Sequence, residues 1–168
     1  TGVWQGTAIA SAYLDADTAH YSAQRQFTYH GYTDDQGTTK QYIGLLDADS
    51  EATATTNGDL PFVAPFAGKL LKVFLRSNKN LTGHTLTWRL ETQATGVSFG
   101  TGPTIVGTQS GAGSSTTAMT TYDFTSSLDS GDNVIDANDM VYLSMQSNTD
   151  FGSNVKYYIT CLWEWDLS

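Results

Sequence analysis

At 168 residues the chain has the length of one domain, and folding at that size buries roughly 70% of the unfolded surface, so no disulfide framework is required. A net charge of -9 excludes a nucleic-acid-binding module, because eight Lys and Arg against seventeen Asp and Glu supply no cationic footprint to displace counterions from phosphates. There is no run of eighteen apolar residues and no basic-then-apolar leader, so neither a membrane span nor a signal peptide is expected, and a start at Thr1 points to a removed methionine or upstream segment.

In chain order, residues 1–20 carry isolated anchors (Val3, Trp4, Ile9, Tyr13, Leu14) among small residues, with no sustained period. Residues 1–23 are expected to be an extended N-terminal arm, its anchors packing on its own domain or reaching a neighbouring subunit. Residues 24–32 alternate Phe27 and Tyr29 against Thr28 and His30, the period of a strand. A turn at residues 34–37 leads to a strand over residues 40–46, then to a polar, Thr-rich loop over residues 47–59.

Residues 60–77, L-P-F-V-A-P-F-A-G-K-L-L-K-V-F-L-R-S, organise the chain. Two prolines hold Phe62-Val63-Ala64 extended, and Ala67-Gly68 supplies a turn. The strand after it is expected to turn Leu71, Val73 and Leu75 inward, with Lys72 and Arg76 outward beside Leu70 and Phe74. In residues 85–91, Leu86, Trp88 and Leu90 alternate with Thr87 and Arg89, the mark of a strand buried on one side.

Residues 92–121 read as a flexible loop around one short strand at residues 104–107. Strands are expected at residues 119–124 and 140–146, separated by a turn-rich loop over residues 128–139. The last strand, residues 156–166, places Tyr157, Ile159, Cys161, Trp163 and Trp165 on one face, where Cys161 reads as a buried, inert thiol. About eight short strands and no helix longer than a turn predict an all-β, jelly-roll-like antiparallel sandwich over residues 24–168.

Four constellations invite a chemical reading. Gly96-Val97-Ser98-Phe99-Gly100 matches the nucleophile elbow, yet no helix follows it and all three histidines (His20, His30, His84) precede the serine, so it reads as a chance match. Asp47-Ala48-Asp49-Ser50-Glu51 and Asp136-Ala137-Asn138-Asp139 lack the turn glycine and distal glutamate of a calcium loop and read as solvated acidic loops. Seventeen acids always offer carboxylate pairs at a glycosidase's separation, but glutamate is scarce and none is expected on a buried strand face, so nothing in the sequence singles out such a pair. Trp88, Trp163, Trp165 and Tyr157 lie where a sandwich places its core, in preference to a sugar-stacking platform. Tyr29, His30 and Tyr32 beside Gly31 read instead as an exposed aromatic patch. No enzyme, cofactor or metal is expected.

The segment F-V-A-P-F-A-G-K-L-L-K-V-F-L-R-S-N-K-N at residues 62–80, the M-V-Y-L-S-M that closes residues 128–145, and W-E-W-D at residues 163–166 resemble structural proteins of tailed bacteriophages. The resemblance covers residues 41–166. It implies a single jelly-roll domain, often trimeric, serving as capsid decoration (cement) or as a head-fibre or spike piece, with no catalytic residues. The expectation is therefore a homotrimeric decoration protein on the outer surface of the capsid, bound to the major capsid protein. Val3, Trp4, Ile9, Tyr13, Tyr29, His30 and Tyr32 are its candidate contacts. The alternative is a glycan- or receptor-binding module of a fibre or spike.

Overall fold

The computed structural model describes residues 23–45, 53, 55, 61–99, 101–125 and 133–167. Ten strands and no helix occur among them: β1 (Ala23–Asp34), β2 (Gln41–Ile43), β3 (Phe62–Val63), β4 (Gly68–Ser77), β5 (Thr85–Gln93), β6 (Thr104–Ala112), β7 (Thr120–Asp123), β8 (Val134–Ile135), β9 (Met140–Ser147) and β10 (Val155–Asp166). Residues 1–22, with Val3, Trp4, Ile9 and Tyr13, lie outside the described residues, as does the Asp47–Glu51 acidic run.

Two five-stranded sheets form. Sheet A runs β1-β10-β4-β7 with β8 also on β4, and sheet B runs β2-β9-β5-β6 with β3 also on β9. Every pairing is antiparallel. The long pairings are nested: β1 with β10, β2 with β9, β4 with β7, β5 with β6, falling alternately in sheets A, B, A and B. A single antiparallel ribbon, folded at the β5–β6 connection and wound so that successive pairs change sheet, is a jelly roll.

Alternation places the core between the sheets. Leu70, Val73 and Leu75 of β4 and Ile159, Cys161, Trp163 and Trp165 of β10 face Leu86, Trp88 and Leu90 of β5 and Val141, Leu143 and Met145 of β9. All three described tryptophans are buried, Trp88 and Trp163 completely. The two on β10 find indole acceptors on the adjoining β1: Trp163 donates to Thr28 Oγ1 at 2.8 Å and Trp165 to Gln26 Oε1 at 2.9 Å. Phe62, held extended between its prolines, meets Trp163 and Trp165 edge-on at 5.4 and 6.0 Å. Cys161 is fully buried, and burial pushes its thiol up to about 12.

Three expectations are corrected. On β4 the register against β10 slips between Leu162 and Trp163, so Leu70 and Lys72 follow one another as paired positions and Leu71 is the extra residue of a bulge. The bulge shifts the alternation by one: Leu70 is the core residue, and Leu71 lines the outer surface of the sheet. Simple alternation had assigned them the other way. Residues 108–112, expected to be flexible loop, belong to β6, which runs nine residues along β5. A Gly-rich strand is tolerated there because Gly107 and Gly111 lie against the rings of Phe124 and Tyr122, where a side chain would crowd them. The loop before β9 likewise contains the two-residue β8, paired to Gly68 and Lys69.

Candidate interaction surface

The outer face of sheet A is built from the residues that alternation turns away from the core. The register sets them in three rows across β1, β10 and β4: Phe27, Leu162 and Lys72; Tyr29, Thr160 and Phe74; Gly31, Tyr158 and Arg76. Phe27 is 52% exposed, Tyr29 75% and Tyr158 57%. Contiguous apolar surface of this kind, with charge at its margin, is where soluble domains meet partners.

Around the β10 and β4 members of the Phe27 row the face dips. Leu71, Phe74 and Leu162 make an apolar floor rimmed by Arg25, Lys69, Lys72 and Glu164. Glu164 is shared between Arg25 and Lys69, each at 3.3 Å, and Lys72 reaches Asp123 at 3.4 Å. The Asp123 carboxyl is held below the usual carboxylate range by hydrogen bonds from the Thr125 side chain and backbone, with Lys72 adding to them. These pairs are open to water, so each is worth only ~0–1 kcal/mol.

The opposite outer face differs in kind. On sheet B, Glu91 is 1% exposed, and its carboxylate accepts from Lys40 Nζ at 2.9 and 3.1 Å, Tyr42 Oη at 2.8 Å and Ser144 Oγ at 2.8 Å. Beside it the buried Tyr142 donates to Gln93 Oε1 at 2.9 Å. Burial raises the Tyr42 and Tyr142 phenols, and for Tyr42 the adjacent Glu91 carboxylate raises it further. Here the expectation that no glutamate sits on a buried strand face is overturned. Glu91 keeps the parity of Thr87 and Arg89, which alternation turns outward, and it is buried there because Lys40, Tyr42 and Ser144 close over it; the neighbouring register slip has its extra residue, Val106, on β6. Three kinds of donor saturate the carboxylate, so the group is a structural clasp joining β2, β5 and β9.

The sequence candidates separate. Tyr29 is on the open face, joined there by Phe27 and Tyr158, which sequence reasoning left out. Tyr32 is corrected: it is 6% exposed, in the core, stacked on Tyr157 at 4.7 Å. His30 faces inward and half-buried, its Nε2 2.9 Å from Thr28 Oγ1; burial lowers its imidazole, with the Gly44 backbone acting in the other direction. The signal that separates them is the alternation itself: Phe27, Tyr29 and Gly31 share one parity, His30 and Tyr32 the other.

The remaining constellations resolve locally. Residues 94–103 connect β5 to its hairpin neighbour β6, with Val97 donating to Ala94 and Thr101 to Ser98, so Ser98 sits in a strand-to-strand turn. In residues 136–139, Asp136 is exposed but Asp139 is buried and its carboxyl raised by that burial. The backbone of this turn is tied to Ala64 by two hydrogen bonds of 2.8 Å, which anchors the end of β3, and Asn138 takes a positive φ of 70° there. No group of three or more His, Cys, Asp or Glu suited to a metal ion occurs among the described residues.

No protein-family model matches this chain, and no curated protein matches it in sequence. Among solved structures it is similar to a chain of the cyanophage Pam1 capsid asymmetric unit, at 15% identity over 96% of this chain and 99% of that one, with a TM-score of 0.36. It is also similar to the Eiger TNF of S. frugiperda, at 11% identity over 84% and 93% of the two chains, with a TM-score of 0.35.

Proposed function

We propose that this chain is a virion structural protein that decorates the head of a tailed phage. In this role it binds the major capsid protein on the capsid's outer surface without catalysis or cofactor. The observation that carries the reading is the outer face of sheet A, where Phe27, Tyr29 and Tyr158 stand exposed on strands whose other side is a tightly packed core. Such a rigid platform gives up little conformational entropy on docking. The resemblance of residues 62–80 and 163–166 to phage structural proteins supplies the class of partner. A protein that binds only the assembled shell stabilises it by mass action, which is the physical content of a cement role. A homotrimer matches the three-fold positions of a shell.

The test is co-sedimentation of the purified protein with shells of its major capsid protein, followed by thermal disruption of the shells. Binding that raises the disruption temperature, and that is lost in the Tyr29→Ser/Tyr158→Ser variant, is expected. Shells that neither bind nor gain stability would overturn the reading. Exposed, flat tyrosine rings also suit stacking on sugar, which favours the second reading, a glycan-binding module of a fibre or spike. In that case the same two substitutions would abolish retention on a glycan array and leave shells unaffected.

A further inference from the structure

The charges of this chain are unevenly placed. Arg25, Lys69, Lys72, Arg76 and Lys156 all project from the outer face of sheet A, against Glu164, Asp123 and Asp166, so a protein of net charge -9 presents one face of net positive charge. Three of these cations, Arg25, Lys69 and Lys72, line the apolar dip floored by Leu71, Phe74 and Leu162. Glu164 is shared between Arg25 and Lys69 while Asp123 meets Lys72, so the three cations exceed their two carboxylate partners and an incoming carboxylate meets positive charge in excess. The dip therefore suits a short segment carrying apolar anchors and acids.

Residues 1–22 have that composition: Tyr13-Leu14-Asp15-Ala16-Asp17 sets two acids beside two large apolar residues, and the segment holds no Lys or Arg. It joins the domain at Ala23, which pairs with Asp166 at the end of sheet A where Arg25, Glu164 and Lys69 lie. Six residues of extended chain span ~20 Å, and neighbouring strands are ~4.8 Å apart, so length permits the dip of either subunit. Direction favours a neighbour. Returning to its own face requires the chain to reverse direction within residues 18–22, whereas a neighbour is reached without a reversal.

We propose that the Tyr13–Asp17 segment of one copy docks in the cation-rimmed dip of a second copy, with Leu14 on the floor made by Leu71, Phe74 and Leu162 and Asp15 and Asp17 toward Lys69 and Lys72. The contact is head-to-tail, the kind that closes into a ring when the rotation allows. The inference rests on reading sheet A's outer face as the contact surface, and it assigns the dip to self-assembly while the Tyr29 and Tyr158 end remains for the shell.

The experiment is light scattering of the full chain and three charge variants, each first checked for its β-sheet circular dichroism. The wild type is expected to be an oligomer. Lys69→Glu/Lys72→Glu should weaken association at least ~10-fold, as should Asp15→Lys/Asp17→Lys, and combining all four substitutions should restore the oligomer. A monomeric wild type, an oligomer indifferent to the lysine reversals, or reversal without rescue would each overturn the proposal. Should a variant not fold, a synthetic peptide of residues 9–20 added to the wild type should dissociate the oligomer, while the peptide carrying both lysines should not. An inert wild-type peptide would also overturn the proposal. Shell co-sedimentation is read separately, so a failed capsid reading and a failed docking segment give different results.

Discussion

Each outer face of the sandwich carries a lysine paired to a glutamate, and the two pairs are opposites. On sheet B, Lys40 meets Glu91 at 2.9 Å, and the carboxylate is 1% exposed with Tyr42 and Ser144 completing its shell. On sheet A, Lys69 meets Glu164 at 3.3 Å with both side chains reached by water. The chemistry is the same; the solvent is not. Where water is excluded, every lone pair must be satisfied and the group becomes a clasp. Where water remains, the pair is nearly neutral in free energy and its charge stays available to a partner.

Removing each carboxylate should break this symmetry most visibly. Glu91→Ala leaves Tyr42, Ser144 and the Lys40 ammonium without their acceptor. Because the lysine head is partly hydrated, we expect a loss of ~2–3 kcal/mol in urea unfolding, toward the low end for a broken buried pair. Glu164→Ala should change the same midpoint by ~0–1 kcal/mol. Equal losses would mean that the two faces are equally dry.

Next in size is Gly68→Ala, where β4 pairs with both β10 and β8. A Cβ there would meet the Glu164 carbonyl oxygen and Trp165 Cε3, both at 2.5 Å, so β10 must shift. We expect ~1–3 kcal/mol of destabilisation by the same assay, with the sheet A face distorted and the Glu91 clasp unaffected.

Alkali should act through buried groups of the core. Burial raises the Tyr122 phenol and the Cys161 thiol to about 12, from ordinary values of 10.0 and 9.0. In both, the folded state holds the proton more tightly than the unfolded one. Their contribution to stability is complete below about pH 9 and declines as pH rises toward 12. Urea midpoints measured across that window should fall with pH. Tyr122→Phe should flatten the part of the decline above pH 10.

The smallest effect on folding is expected from Tyr29→Ser, within ~0.5 kcal/mol because the ring is 75% exposed. Its shell binding should nevertheless weaken by ~10-fold, the pattern of an aromatic anchor whose energy is realised only on docking. A large stability loss would show that the ring supports the sheet instead.

The sequence by itself determined the class of fold and most of its core. Period-two alternation in residues 85–91 and 156–166 requires one dry face, and Trp88, Trp163, Trp165 and Cys161 are on it. Proline and glycine placed β3 and the start of β4, because their backbone limits are local. Tertiary structure alone decided the exceptions. The bulge in β4 exists only against β10, so the exchange of Leu70 with Leu71 left no mark in spacing, and Glu91, on the outward parity of β5, is buried only because Lys40, Tyr42 and Ser144 close over it. The open surface was half legible: Tyr29 was named and Phe27 shares its parity on the same strand, but Tyr158 becomes their neighbour only through the pairing of β1 with β10, more than a hundred residues apart. Strand pairing joins residues by register, and register depends on how the whole ribbon winds. Local sequence settles which side of a strand is dry, while the winding of the ribbon settles what lies beside it.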